Sequence, residues 1–253
     1  MKRMDLNCDV GELPEALADG TQEAILRQVT SANIACGGHA GDPQIMLATM
    51  EQALRCGTAI GAHPGYEDPA NSGRVELKLS SEEIAASVCK QILTLAEIAE
   101  RCGARIGHVK AHGALYNQAA RDRGIARAIA EGVARWRRDV MLAGLAGSVM
   151  LEEFRTAGFA VAAEGFADRK YEADGSLRAR KFRDALLHDP AEAAAQAVRI
   201  ARMGSIVAAN GMVIPLKVDT ICIHGDTPGA PQIAAAVRRA LQEAGITLQA
   251  LGR

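Results

Sequence analysis

The sequence is poor in aromatic residues, which make up 3% of the chain and include a single tryptophan, Trp136. Hydrophobic residues nevertheless account for 49% of its 253 positions, enough to bury a large core. That core must consist mainly of Ala, Val, Leu and Ile side chains, a composition that suits helices packed on a parallel sheet. The length also fits one α/β barrel, so we predict a single domain over residues 1–253.

Neither a strong net charge nor a long apolar run is present. The 29 basic and 30 acidic residues give a formal net charge of −1, so the basic surface typical of a nucleic-acid-binding protein is not expected. No apolar stretch reaches the ~18 residues that a membrane span requires, and residues 1–9 do not resemble a signal peptide. The sequence therefore predicts a cytoplasmic protein without membrane or nucleic-acid partners.

Cysteine pairs with the short spacing of a zinc site are also missing. The six cysteines are scattered along the chain: Cys8, Cys36, Cys56, Cys89, Cys102 and Cys222. Most lie in apolar segments, where a free thiol packs like a small hydrophobic group. We therefore expect reduced, largely buried thiols and no tightly held zinc ion.

Short apolar segments alternate with longer segments of helical periodicity. Strands are predicted at residues 4–7, 32–36, 59–62, 106–110, 140–143, 159–163 and 220–224. Helices are predicted at residues 81–102, 124–135, 190–202 and 232–245, the first capped by Ser80 or Ser81. This alternation predicts a (β/α) TIM-like barrel of about seven strands. A doubly wound open sheet is the alternative, but no Gly-x-Gly-x-x-Gly turn follows the first strand.

Polar, mostly ionisable side chains recur at the carboxyl end of nearly every predicted strand. They are Asp5, Asn7, Asp9 and Glu12, then His39 and Asp42, His63, His108, Lys110 and His112, Glu164, Asp168 and Arg169, and finally His224 and Asp226. Because the carboxyl ends of barrel strands meet at one face, we expect these side chains to share one cavity there.

Glycines follow the second predicted strand in the segment 36–43, which contains Gly37, Gly38 and Gly41. A strand-to-helix loop of this kind offers backbone N–H groups to an anion such as phosphate. The alternative is a tight turn that needs glycine only for a positive φ angle. The segment 224–229 leaves a similar choice, because Asp226 or Thr227 is also placed to cap the next helix.

Six segments resemble the signature blocks of the LamB/YcsF family: residues 5–12, 30–43, 61–66, 109–117, 164–171 and 221–228. The resemblance covers essentially the whole chain and implies a seven-stranded barrel of the glycoside hydrolase/deacetylase type. It also implies ATP-dependent cleavage of 5-oxo-L-proline to L-glutamate, with 5-oxoprolinase subunits B and C as partners and ATP with Mg²⁺ as cofactor. Two positions depart from the family pattern: Ala111 replaces a proline, and residues 71–75 replace a Gly-Phe-Gly-Arg-Arg segment.

The strand ends and the resemblance together define the candidate residues. The predicted catalytic residues are Asp9, His39, His63, Lys110, His112 and Asp168. The predicted substrate- or nucleotide-binding residues are Asn7, Glu12, Asn33, Gly37, Gly38, Gly41, Asp42, Asn117, Glu164, Arg169, His224 and Asp226. In this hypothesis Lys110 contacts phosphate, Asp9 or Asp168 is the base, a histidine donates a proton, and Arg169 binds the substrate carboxylate.

Two other functions fit the same residue types. In a metal-dependent amide or sugar deacetylase, Asp9, His63 and His112 would bind a divalent ion and lower the pKa of its water. A non-catalytic subunit that carries substrate for its partners would instead tolerate replacement of the proton-handling carboxylates.

Overall fold

The computed structural model describes residues 2–251, so Met1, Gly252 and Arg253 of the predicted domain lie outside the described residues. The strands are β1 (Arg3–Val10), β2 (Ser31–Ala35), β3 (Ala59–His63), β4 (Ile106–Lys110), β5 (Met141–Leu145), β6 (Ala160–Phe166), β7 (Ser205–Val207), β8 (Val213–Pro215), β9 (Thr220–His224) and β10 (Thr247–Leu248). Strands β1 to β6 and β9 pair in parallel, and β1 pairs with both β2 and β9. The sheet therefore closes into a seven-stranded barrel, which confirms the predicted fold and excludes the open sheet.

Helices surround this barrel. They are α1 (Pro14–Ala18), α2 (Thr21–Leu26), α3 (Pro43–Arg55), α4 (Ser81–Arg101), α5 (Gly113–Ala119), α6 (Arg123–Trp136), α7 (Val149–Thr156), α8 (Pro190–Met203) and α9 (Ala230–Glu243). The predicted cap of α4 is Ser80, whose side chain accepts a hydrogen bond from Glu83 N while the Glu83 carboxylate accepts one from Ser80 N. Across residues 2–251 no helix is long and apolar enough to cross a membrane.

Small side chains allow the helices to pack closely without aromatic residues. A Cβ atom added to Gly132 of α6 would lie 2.6 Å from the backbone oxygen of Ala85 in α4. Only glycine fits at such a distance, so these two helices approach each other as closely as their backbones allow. The aromatic-poor composition is thus consistent with the way the outer layer packs.

Several strand boundaries differ from the predicted ones. Strand β1 extends to Val10 and β6 to Phe166, so Asp9 and Glu164 lie within strands rather than after them. Strand β10 pairs with the start of β1, and β7 forms an antiparallel hairpin with β8. These additions are two or three residues long, too short for hydrophobic periodicity to indicate them.

Candidate active site at the carboxyl end of the barrel

A polar network fills the barrel beneath the carboxyl ends of the strands. Asp5, Asn7 and Asp9 alternate along β1 and therefore share its inner face. Asn7 Nδ2 donates a hydrogen bond to Glu164 Oε1 at 3.0 Å, and Asn33 Nδ2 donates one to Asp9 Oδ1 at 2.7 Å. All five side chains are buried. The network fixes the Asp9 carboxylate near the end of β1.

Lys110, the last residue of β4, lies between two carboxylates in this network. Its Nζ atom is 2.9 Å from Asp9 Oδ1, 3.0 Å from Glu164 Oε1 and 3.1 Å from Cys222 Sγ. Burial disfavours the ammonium, but Asp9, Cys222 and Glu164 outweigh it and hold the pKa of Lys110 well above its ordinary value. Lys110 therefore has carboxylate partners already, which weakens its predicted role as the phosphate contact.

Two histidines converge on Glu12 beside this ion pair. His63 Nε2 is 3.0 Å from His112 Nδ1, while Glu12 Oε1 is 3.0 Å from His112 Nδ1 and 3.6 Å from His63 Nε2. The opposite ring nitrogens each face a backbone oxygen: His63 Nδ1 faces Lys110 O at 2.8 Å, and His112 Nε2 faces Ser72 O at 3.0 Å. A carbonyl only accepts hydrogen bonds, so these outer nitrogens carry protons and leave the inner nitrogens facing Glu12 and each other. Burial disfavours the charged form of His63, but Asp9 Oδ2 at 3.3 Å outweighs it and raises the pKa of this ring.

His39 completes the cluster from behind. Its ring stacks on His112 with centroids 3.6 Å apart, and its Nε2 atom lies 3.0 Å from Glu12 Oε1. Gly73 has a positive φ of 62°, and a Cβ atom there would lie 2.7 Å from His39 Cβ. Residues 71–75, which depart from the family pattern, therefore form the loop that packs against His39 and His112.

Charge within this cluster shifts several pKa values. Burial opposes ionisation of Asp9 and Glu12, but His63 and Lys110 around Asp9, and His112 and His39 around Glu12, hold both carboxyl pKa values well below their ordinary range. Burial lowers the pKa of His39 to about 4, so this ring is neutral at pH 7. These buried carboxylates attract a proton or another cation into the space between them.

A cavity of about 970 Å³ opens above these residues at the carboxyl ends of the strands. Nine predicted site residues line it: Asp9, Glu12, His63, Lys110, His112, Asn117, Arg169, His224 and Asp226. Asn7, Asn33 and Glu164 lie in the buried network, Asp168 contacts His224, and His39 lies against His112. The expectation that all the strand-end side chains share one cavity is therefore met only in part, because His39, Asp42 and Asp168 do not line it.

His224 and Asp168 form a separate pair on the cavity wall. Asp168 is completely buried and lies 3.0 Å from His224 Nδ1, while the backbone N–H of His224 donates to the same carboxylate at 3.0 Å. Burial opposes ionisation of Asp168, but His224 outweighs it and lowers the carboxyl pKa. The His224 ring also stacks on Phe166, with centroids 5.4 Å apart. The carboxylate thus orients the imidazole and leaves its other nitrogen for the cavity.

Arginines supply positive charge to the same cavity. Arg74 Nη2 and Arg180 Nη1 lie 2.5 Å and 3.0 Å from the same oxygen of Asp226. Arg169 donates to Arg178 O at 2.6 Å, and its buried Nε atom has no partner among residues 2–251. Burial lowers the pKa of Arg169 to about 10, so it stays cationic at pH 7.

Sequence reasoning missed Arg74 and Arg180, as it missed Tyr116, which donates a hydrogen bond to Glu164 Oε2 at 2.7 Å. Tyr116 belongs to the block 109–117 and follows the first residue of α5 by less than one turn, so its segment was recognisable. Arg180 lies in a basic loop without a motif, and only the folded chain brings it to Asp226.

The glycine loop after β2 adopts the tight turn that was the alternative to a phosphate cradle. Gly37 and Gly41 have φ angles of 90° and 82°, and a Cβ atom on Gly41 would lie 2.9 Å from Ala35 O. Gly38 lies against the side chain of Gln91, and Asp42 caps α3 by accepting hydrogen bonds from the N–H groups of residues 44 and 45. None of these four residues lines the cavity. Their predicted role in nucleotide binding stays a prediction.

A parallel β/α barrel with histidines, carboxylates and arginines around one cavity at its carboxyl face has the architecture of a barrel enzyme. The profile of the LamB/YcsF family matches residues 4–253, and the chain belongs to this family. The A subunit of 5-oxoprolinase from Chloroflexus aggregans is 50% identical over 249 residues, which cover 98% of this chain and 99% of that protein.

Solved structures show the same architecture. The lactam utilization protein from Thermus thermophilus superposes with a TM-score of 0.91 at 42% identity, over 98% of this chain and 100% of the other. A family 4 carbohydrate esterase from Streptomyces lividans has a TM-score of 0.51 at 8% identity, over 99% of this chain and 93% of the other. The second likeness concerns the fold alone, and it agrees with the predicted deacetylase-type barrel.

Proposed function

We propose that the chain is the A component of an ATP-dependent 5-oxoprolinase, which cleaves 5-oxo-L-proline to L-glutamate together with subunits B and C. Support comes from similarity over nearly the whole chain to the corresponding 5-oxoprolinase component of Chloroflexus aggregans and to the lactam utilization protein. The observation that carries the proposal is the cavity that combines the oriented His224–Asp168 pair with Arg169 and Arg180. A lactam with one carboxylate needs such a proton carrier and such cations.

Each cavity group has a task in this reaction. ATP transfers its γ-phosphoryl group to the amide oxygen and leaves as ADP, which makes the ring carbon electrophilic. Water adds to that carbon, the C–N bond of the ring breaks, and a second water molecule hydrolyses the resulting acyl phosphate to glutamate and phosphate. His224, held by Asp168, donates the proton that the departing ring nitrogen needs. Arg169, a cation on the cavity wall, binds the substrate carboxylate. Arg74 and Arg180 share a single carboxylate, Asp226, and so retain positive charge for a phosphoryl group.

The test is ATP-dependent formation of glutamate from 5-oxo-L-proline, measured with this chain alone and with subunits B and C added. We expect glutamate from the assembled enzyme, and His224→Gln to reduce its turnover by at least ~100-fold, because a positioned proton donor contributes roughly 10²- to 10⁴-fold. The matched control is His188→Gln, which replaces an exposed histidine outside the cavity and should leave turnover unchanged. No glutamate from the assembled enzyme, or normal turnover of His224→Gln, would overturn the proposal.

A metal-dependent amide or sugar deacetylase is the second candidate. The convergence of Glu12, His63 and His112 at the cavity favours it, since a carboxylate and two imidazoles make up one common ligand set of catalytic zinc. Release of acetate from N-acetylated sugars without ATP, abolished by a chelator, would support this candidate. Absence of acetate release, together with ATP-dependent glutamate formation, would support the 5-oxoprolinase function.

A further inference from the structure

The Glu12–His63–His112 cluster brings three potential metal-ligand atoms within 3.6 Å of one another. The outer nitrogens of both rings donate to backbone oxygens, which leaves His63 Nε2 and His112 Nδ1 facing each other across 3.0 Å. Glu12 Oε1 adds a third acceptor at 3.0 Å and 3.6 Å from these nitrogens. A contact of this kind needs a cation between the atoms, either a proton or a metal ion.

We propose that Glu12, His63 and His112 bind a divalent transition-metal ion, with Zn²⁺ as its representative. The separations of 3.0 and 3.6 Å between ligand atoms are close to the roughly 3.3 Å found between neighbouring ligands around a tetrahedral zinc with bonds of ~2.0–2.1 Å. Two imidazoles favour zinc and other late transition metals over Mg²⁺, which prefers oxygen ligands. Binding of this ion is therefore distinct from the Mg²⁺ expected with ATP.

Residues around the three ligands hold them in a ligating geometry. The backbone oxygens of Lys110 and Ser72 select the ring tautomers, as hydrogen-bond partners commonly do around metal-bound histidines. His39 Nε2 donates to Glu12 and keeps its carboxylate in place. The side chains of His63 and His112 are 1% and 6% exposed, so few water molecules compete for their lone pairs.

The ion would also have one side open to ligands. Glu12, His63 and His112 line the cavity, while His39 lies behind His112. Three protein ligands with a free position facing a cavity define a catalytic rather than a structural zinc site. A water molecule in that position would have a lowered pKa.

Calorimetric titration of metal-free protein with Zn²⁺ tests this proposal without substrate, nucleotide or partner subunits. We expect one Zn²⁺ per chain with a Kd below about 1 µM and much weaker binding of Mg²⁺. Glu12→Gln, which removes the anionic oxygen but keeps the shape, and His112→Gln should each weaken Zn²⁺ binding by at least ~100-fold. The control His188→Gln should bind as the unchanged protein does.

A second measurement does not depend on the folding of the variants. Co²⁺ added to the unchanged protein should give the strong visible absorption of a four- or five-coordinate complex, and Zn²⁺ should displace it. No stoichiometric binding of Zn²⁺ or Co²⁺ would overturn the proposal, because a shared proton would then account for the His63–His112 contact. Binding that survives in folded Glu12→Gln and His112→Gln proteins would overturn it as well. Neither result bears on glutamate formation, so this site and the proposed function can fail separately.

Discussion

The Asp9 carboxylate connects two groups of charges within the site. Its Oδ1 atom accepts hydrogen bonds from Lys110 and Asn33, and its Oδ2 atom lies 3.3 Å from His63 Nε2. One oxygen thus belongs to the ion pair inside the barrel and the other to the histidine cluster. A change at Lys110 therefore affects both stability and chemistry, and the two effects must be measured on one preparation.

Replacement of Lys110 by methionine should lower the free energy of unfolding by about 3–5 kcal/mol, because it leaves two buried carboxylates, Asp9 and Glu164, without their cation. Urea unfolding measures this loss. Lys90→Met is the control, since the Lys90 side chain is 74% exposed and lies 3.8 Å from its acidic neighbour, so little change is expected. Unchanged stability of Lys110→Met with lost turnover would instead support the phosphate role predicted from the sequence.

Elements with strong local signals were predictable, and those that depend on distant contacts were not. Helix α4 has its capping box and its terminal glycine in the sequence itself, so its predicted range, residues 81–102, agrees with Ser81–Arg101. Strand β1 was predicted to end at Asn7, because the polar Asp9 interrupts the apolar run. In the structure β1 extends to Val10, because the barrel interior accommodates the charge of Asp9. The hairpin of β7 and β8 has too few residues for a periodic pattern.

Two neighbouring strands, β3 and β4, offer a matched pair of glycines for a test of packing. A Cβ atom on Gly61 would lie 2.1 Å from His108 Nε2, and that buried ring is held by its hydrogen bond to Asn33 Oδ1 at 2.8 Å. A Cβ atom on Gly107 would meet only Ile60 O, at 3.9 Å. We expect Gly61→Ala to destabilise the protein by about 1–3 kcal/mol and Gly107→Ala to be nearly neutral. Equal unfolding free energies for the two variants would contradict this account.

At the scale of the whole molecule, the sequence indicated which strand ends would converge but not which side chains would touch. The pattern of polar residues after apolar strands was enough to predict that Asp9, His63 and His112 lie on one face of the barrel. The contact between His112 and Ser72, and the two arginines on Asp226, depend on how loops from distant parts of the chain fold over the barrel. No spacing rule covers such loops.

Global stability should depend on pH through the buried His108. Burial lowers its pKa in the folded protein to about 4, against roughly 6.5 in an unfolded chain, so the unfolded state binds the extra proton between these values. Stability is therefore complete above about pH 6.5 and falls as the pH drops towards 4, by about 1.4 kcal/mol per pH unit from this group. In His108→Gln this part of the slope should disappear, and in His188→Gln it should remain. If the unfolding free energies of His108→Gln and His188→Gln, measured in urea, change identically with pH between about 4 and 6.5, the pH dependence does not come from His108.

Closure of the barrel also sets an order of events during synthesis. Thr220 of β9 pairs with Asp5 of β1, 215 positions earlier in the chain. A chain still on the ribosome can form β1 to β6 from local crossovers, but the edges of β1 and β6 stay open until β9 emerges. Open strand edges pair readily with other chains. The interval between the synthesis of β6 and the emergence of β9 is thus the one in which the nascent protein is most exposed to aggregation, and a ribosome that pauses before residue 220 prolongs it.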